Sequence, residues 1–262
     1  GGIGLSANYQ LGNARLLIGA TNPILVNTLT ENVVGSRKSL VASLEYGNPS
    51  ETAFTLMTGI TQDEDSLLGS TGNDAYSMSG SRSNTTFAAI KAQNQLTNDL
   101  TLTGIATNAK TDMSGPTQSY INSANSVKSS SVSLIASQQN ITGDDRLSLS
   151  ISQPNRVNGG DMSIRLSNLA ESDGSISYRD SNINLEPTGR QMVYGLSYSK
   201  DLSEGIGFSV KHLLTSNLNH NQDSALASSS YVGFKYKALK LGYNINSQDS
   251  SKNTELAYLH KF

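Results

Sequence analysis

Apolar and polar residues alternate with a period of two along almost the whole chain, and this pattern restricts the fold more than any other feature. Successive side chains of a β-strand point to opposite faces, so strict alternation marks a strand with one apolar and one polar face. Leu147, Leu149 and Ile151 alternate with Ser148, Ser150 and Ser152. Met192, Tyr194, Leu196 and Tyr198 alternate with Val193, Gly195, Ser197 and Ser199. Ile206, Phe208 and Val210 alternate with Gly207, Ser209 and Lys211. Val232, Phe234 and Tyr236 alternate with Gly233, Lys235 and Lys237, and Leu241, Tyr243 and Ile245 with Gly242, Asn244 and Asn246. Similar runs begin near Leu40, Ala53, Thr86, Leu100 and Val132. Each run is roughly 8–12 residues, about the length of a tilted strand that crosses a bilayer. Helical periodicity is confined to one stretch. Asn22 fits an N-cap, Pro23 a first turn and Gly35 a terminus, so a short helix is expected near 23–34.

The polar face separates the architectures that such strands build. Its residues are mostly Ser, Thr, Gly, Asn and Lys, whereas the apolar face is bulky. A sandwich and a membrane barrel both fit one strand of this kind. The long, even series of hairpin-linked strands favours the barrel. Composition agrees. Apolar residues make up 36% of the chain, below the ~45–50% of soluble globules (a figure that counts Gly but not Tyr). No run approaches the ~18 apolar residues of a membrane helix. The length of 262 residues fits one domain, with 1–37 as an N-terminal extension of it or part of it. The formal charge of −2, without a basic block, gives no reason to expect nucleic acid as a partner. The chain has no cysteine, hence no disulfide framework. It opens at Gly1 without a leader-like segment, and further residues are expected upstream.

Connections alternate in length. Short ones are expected at Leu11-Gly12-Asn13, Gly47-Asn48-Pro49, Thr97-Asn98-Asp99, Thr142-Gly143-Asp144, 201–205 and 237–240. Longer ones are expected near 21–37, 61–84, 110–125, 154–160, 184–189, 216–227 and 247–252. Counting back from Phe262 puts every short turn on one side, together with a turn near 168–173. Outer-membrane barrels show this asymmetry, with short periplasmic turns and long outer loops. The runs read as about fifteen strands, and bacterial single-chain barrels have even numbers. The expectation is a transmembrane antiparallel up-and-down β-barrel of 14 strands, with 12 and 16 as alternatives.

The chain ends in a further alternating run in which Leu256, Tyr258, His260 and Phe262 share one face. This resembles the C-terminal signal of outer-membrane proteins, which the barrel-assembly machinery recognises. An unpaired amphipathic edge strand suits that role, because it can pair with a partner strand before closure. His260 departs from the pattern, which is usually apolar there.

Three internal stretches resemble the C-terminal barrel of subtilisin-like (S8 family) autotransporter proteases. They are Gly59 to Tyr76, with Glu64, Ser66, Leu68-Gly69-Ser70, Gly72 and Ala75-Tyr76; Leu149 to Pro154 with Arg156-Val157 and Gly159; and Pro187-Thr188-Gly189-Arg190-Gln191. They occur in the family's order over about 59–262. Gln191 stands where the family has an acidic residue, and Ser and Asn replace its Gly/Arg-rich character. The resemblance implies a translocator in the bacterial outer membrane that anchors an N-terminal passenger and lets it reach the cell surface. It implies the lipid bilayer, the barrel-assembly machinery and the chain's own passenger as partners, and a subtilisin-like protease upstream of Gly1.

The residues offer little chemistry of their own. His212, His220 and His260 form no pair at metal-ligand spacing, no G-x-S-x-G occurs, and no phosphate-binding loop follows a strand. No enzyme activity and no cofactor are expected. Asp63-Glu64-Asp65 is a candidate Ca²⁺ loop, with plain solvation as the simpler reading. Arg165, Lys211, Lys235 and Lys237 fall on the polar face and are expected to line the lumen. Tyr194, Tyr198, Tyr236, Tyr243 and Tyr258 fall on the apolar face and suit a membrane interface. Two rival readings remain: a channel or porin without a passenger, and a soluble extracellular adhesin or fibre module whose polar face is its wet exterior.

Overall fold

The computed structural model describes residues 2–23, 37–48, 50–67, 76–116, 119–170, 173–203, 205–237, 239–247 and 252–258. They form a single antiparallel sheet of fourteen strands. The strands are β1 (Gly2–Leu11), β2 (Ala14–Pro23), β3 (Arg37–Gly47), β4 (Thr52–Glu64), β5 (Arg82–Gln95), β6 (Leu100–Ser114) and β7 (Ile121–Gln139), then β8 (Asp145–Ala170), β9 (Ile176–Asn184), β10 (Met192–Ser203), β11 (Ile206–Ser216), β12 (Ala227–Tyr236), β13 (Leu239–Asn246) and β14 (Lys252–Tyr258). One turn of 3-10 helix lies at Leu218–His220. Pro23 ends β2, and the rest of the helix expected near 23–34 lies outside the described residues.

The sheet is an up-and-down meander from β1 to β14, with β9 off the path and paired with β8. Among the described residues no pairing joins β1 to β14. β1 and β2 belong to the same sheet as the rest, through the β2–β3 ladder. The period-2 pattern explains this regularity, because one register satisfies the ladder and keeps every bulky residue on one face.

The strand expected at 145–153 and the one expected at 160–167 are a single strand, β8. The loop expected at 154–160 is absent, and its residues stay extended. Pro154 cannot donate to a ladder, and such a residue is tolerated at irregularities. It falls between Gln153, opposite Val132, and Arg156, opposite Ser130, where the β7–β8 register shifts. Glycine enters the same irregular stretch. Gly160 has φ +123°, and a Cβ there would lie 2.6 Å from Val127 Cα.

The fusion changes the topology around β8. On one edge β8 pairs with β7. On the other, 145–152 pair with β10 and 161–170 pair with β9. β9 and β10 both run antiparallel to β8, so they act as two segments of one path interrupted at 185–191. The turn near 168–173, expected on the short-turn side, therefore lies at the opposite end. The six short turns keep their common side.

Among the described residues, buried apolar side chains gather at the long-loop end. Leu67, Met78, Met113, Ile121, Ala124, Val127 and Ile164 form the core cluster, with Val157, Met162, Leu166 and Leu185 against it. Met113 lies opposite Ser83, on the polar face. The described parts of the β4–β5 connection thus pack Leu67 and Met78 against that face.

Candidate functional site: two faces and a rim

The apolar face is continuous across the strands. Leu16, Leu44, Leu56, Ile90, Ala106 and Val132 form one row of directly paired positions from β2 to β7. Tyr198, Val210, Val232 and Tyr243 form another from β10 to β13. These side chains are not covered by protein: Leu56 is 56% exposed, Leu149 53% and Val232 52%. Contiguous exposed apolar surface beyond a few hundred Å² marks contact with a membrane or a partner.

Aromatic rings on this face sit next to the short turns. Tyr9 precedes the Gly12 turn, Tyr46 and Phe54 flank the turn at 48–51, Phe208 follows Gly205, and Phe234 and Tyr236 precede the turn after β12. Tyr198 joins them near the turn before β8, 5.6 Å from Phe208 between ring centroids. Rings with an apolar body and a polar tip favour a membrane–water boundary. Tyr194 and Tyr243 lie farther along the same face.

The polar face carries small residues and a few cations. Lys211 lies opposite Ser197 and Tyr231, and Lys235 opposite Gly207, so both lie on the small-residue face. Near the short turns Arg146, Ser199, Asp201, Ser209, Tyr231 and Lys235 line a hollow of about 650 Å³. Glycine permits the Tyr231 ring to lie on this wall. A Cβ on Gly233 would sit 2.7 Å from Tyr231 Oη, and one on Gly242 would sit 2.8 Å from the ring.

Lys237 and Arg165 do not line this hollow. Lys237 lies past the end of β12 with φ +51°, in a turn, and its ammonium is 5.6 Å from the Tyr236 ring centroid. Arg165 lies on the part of β8 that pairs with β9, where it meets Asp180 at 3.5 Å. Of the C-terminal signal, Leu256 and Tyr258 lie opposite Leu241 and Leu239 in the β13–β14 ladder. His260 and Phe262 lie outside the described residues.

The Asp63-Glu64-Asp65 run is engaged within the protein. Arg37 Nε donates to Asp63 at 2.6 Å, Lys38 meets Glu64 at 3.7 Å, and Gly80 N–H donates to Asp65 at 2.6 Å. Among the described residues no group of His, Cys, Asp or Glu is arranged to hold a metal.

The rim at the long-loop end holds the densest polar network. Arg156 points into the gap between β9 and β10, with its side chain 9% exposed. Its Nε donates to Gly189 O at 2.9 Å, and Nη2 to Pro187 O at 3.0 Å. Its Nη1 reaches Glu186 Oε1 at 3.1 Å, Asn158 Oδ1 at 2.9 Å and Val157 O at 3.2 Å. The 185–191 connection carries carbonyls that no strand satisfies, and a planar guanidinium with five donors suits that need. The loop after β11 completes the junction. Gly189 N–H donates to His220 O at 2.6 Å, and Asn219 N–H to Gln191 Oε1 at 2.9 Å. The Gly189 position admits no side chain, since a Cβ would lie 2.6 Å from Gln222 N. Two of the motifs noted in the sequence, around Pro154-Arg156 and Pro187–Gln191, thus meet in space. Arg156 and Gly189 are motif residues in the sequence, but nothing in their spacing shows that they touch, and no local pattern marks His220 as part of the junction.

No family model matches the chain, and no curated protein matches it. Among solved structures, the siderophore receptor PiuA from Acinetobacter baumannii is similar at 13% identity with a TM-score of 0.44, over 94% of this chain and 54% of that one. The ferric-catecholate import receptor Fiu from E. coli K12, in its open form, is similar at 11% identity with a TM-score of 0.42, over 96% of this chain and 58% of that one. The chain therefore spans little more than half the length of these receptors.

Proposed function

We propose that the chain is a membrane-spanning β-barrel of a bacterial outer membrane, and that it anchors and exports an N-terminal passenger. The exposed apolar face carries the first part. Its bulky residues stand outward in unbroken rows, bounded at the short-turn end by aromatic rings. In water such a surface costs roughly 25 cal/mol per Å², whereas lipid accepts it. Lipid leaves no backbone group to water, so β1 and β14 must close the ladder there. Export of a passenger rests on the resemblance to the autotransporter barrels. Two of the stretches that carry that resemblance, around Arg156 and Pro187–Gln191, meet at one junction.

The test places an epitope tag ahead of Gly1, behind a secretion signal, in a Gram-negative host. Retention in membranes after carbonate washing, with heat-modifiable gel mobility, is expected for the barrel. Tag cleavage by protease added to intact cells is expected for the translocator. A tag that stays periplasmic while the purified barrel conducts ions favours the porin. Release by carbonate without detergent overturns the membrane reading and leaves the soluble module.

A further inference from the structure

The imidazole of His220 bridges the two sides of the rim. Gln191 N–H donates to its Nδ1 at 2.9 Å, and its Nε2 lies 3.0 Å from the carbonyl oxygen of Asn155. A carbonyl only accepts, so Nε2 carries the proton. An amide N–H only donates, so Nδ1 must be bare. The junction therefore requires the neutral ring in one tautomer. The backbone around it is held in an unusual state. Asn217, Asn219 and His220 have φ values of +50°, +53° and +58°, a left-handed region that Asn and His enter more readily than other non-glycine residues. Such residues persist where surrounding contacts impose them, and they cluster at switching segments.

We propose that His220 is a pH-sensitive latch on the rim: neutral, it ties the Gln191 end of the 185–191 connection to β8 at Asn155; protonated, it lets go of Gln191. A proton on Nδ1 sets N–H against the Gln191 N–H, so that contact is lost and the amide is left without an acceptor. The bond to Asn155 survives, because Nε2 stays a donor. The Gln191 end of the bridge opens selectively. The charged groups adjoining these contacts in the chain are Arg156 beside Asn155, Arg190 beside Gln191, Glu186 paired with Arg156, and Asp223 in the loop that carries His220. Arg190 and Asp223 have opposite signs. The change in the ring's bonding role thus decides the response. Arg156 still holds Pro187 and Gly189, so the change is confined to the Gln191 end of the connection, where it meets β10.

Hydrogen exchange on the folded chain in detergent micelles tests it. Peptides spanning 187–192 are followed at about pH 7.5 and about pH 5, the range over which histidine changes charge, after correction for the intrinsic pH dependence of exchange. Wild-type protection is expected to fall about three- to tenfold at the lower pH, the equivalent of one hydrogen bond. The variant His220→Gln offers an amide oxygen and an N–H without titrating, and its protection is expected to be independent of pH. Protection that falls equally in both chains, or in neither, overturns the latch. If the variant does not fold, ¹⁵N spectra of the wild-type imidazole decide: the Nε2–H tautomer at neutral pH supports it, and the Nδ1–H tautomer overturns it.

Discussion

Arg156 Nε donates to the carbonyl oxygen of Gly189 at 2.9 Å, joining the middle of β8 to a connection 33 residues further along. The bond closes the gap left where β9 and β10 diverge along β8. Removing the guanidinium leaves the Gly189 and Pro187 carbonyls without this donor. The variant Arg156→Ala is expected to lose about 2–4 kcal/mol, the range for breaking a buried charged network. Arg156→Lys should recover part of that, since an ammonium cannot reproduce the planar fork. Glu186→Gln should cost less than either, because the Glu186 side chain is 43% exposed. Urea unfolding of the refolded chain in lipid vesicles measures all three. Equal stability of Arg156→Ala and wild type would contradict the role assigned to this side chain.

The two faces of β8 predict opposite responses to one substitution. Leu149 lies on the apolar face opposite Ala136 and Leu196, whereas Ser148 lies on the polar face opposite Ser137 and Ser197. A lysine facing mid-bilayer lipid costs about 2–4 kcal/mol. Leu149→Lys is therefore expected to impair assembly into vesicles, and Ser148→Lys to be tolerated. A chain whose leucine face stands in water tolerates both changes, since a lysine replacing an exposed leucine in water is nearly neutral. Unfolding in vesicles, with heat-modifiable mobility as the check on assembly, distinguishes the outcomes.

Tyr231 occupies space that Gly233 and Gly242 leave free on the polar face. Valine at Gly233 forces the ring off that wall or shifts the β12–β13 ladder, with an expected cost of about 1–3 kcal/mol. Combining Gly233→Val with Tyr231→Ala removes the clash, so the pair should be less destabilising than the sum of the single changes. Strict additivity in this double-mutant cycle would rule out the contact as the cause.

Asp173, in the turn between β8 and β9, accepts from the Ser175 hydroxyl at 2.7 Å and from the Ser175 N–H at 2.9 Å. The hydroxyl bond first, and then the backbone bond, hold its carboxyl below the usual carboxylate range. A depressed folded value means the contribution to stability is present above the unfolded value and is lost as pH falls through the folded one. Ser175→Ala should move the Asp173 midpoint upward in a ¹³C-detected titration. A midpoint that does not move assigns the shift to something other than Ser175.

Much of the architecture was legible in the order of residues. A period of two assigns each side chain to a face without knowledge of the partner strand. Lys211 and Lys235 could therefore be placed on the small-residue face, and Leu149 and Val232 on the bulky one. Gly12, Gly47-Asn48 and Gly205 marked tight reversals because they supply turn conformations that strands avoid. Pro154 and Gly159-Gly160 misled for the same reason. They are loop signals locally, yet here they sit in a bulged ladder whose partner, β7, supplies the compensating irregularity.

The sequence by itself determined the antiparallel hairpin series, its two chemically distinct faces and the common side of its short turns, since each depends on local alternation and nearby turn residues. Only the tertiary structure decided that β8 continues through Pro154, that β9 and β10 share its edge, and that Arg156 and His220 bind the connection between them. Those features depend on register between distant segments and on which backbone groups the ladder leaves unsatisfied. No local pattern encodes either of them.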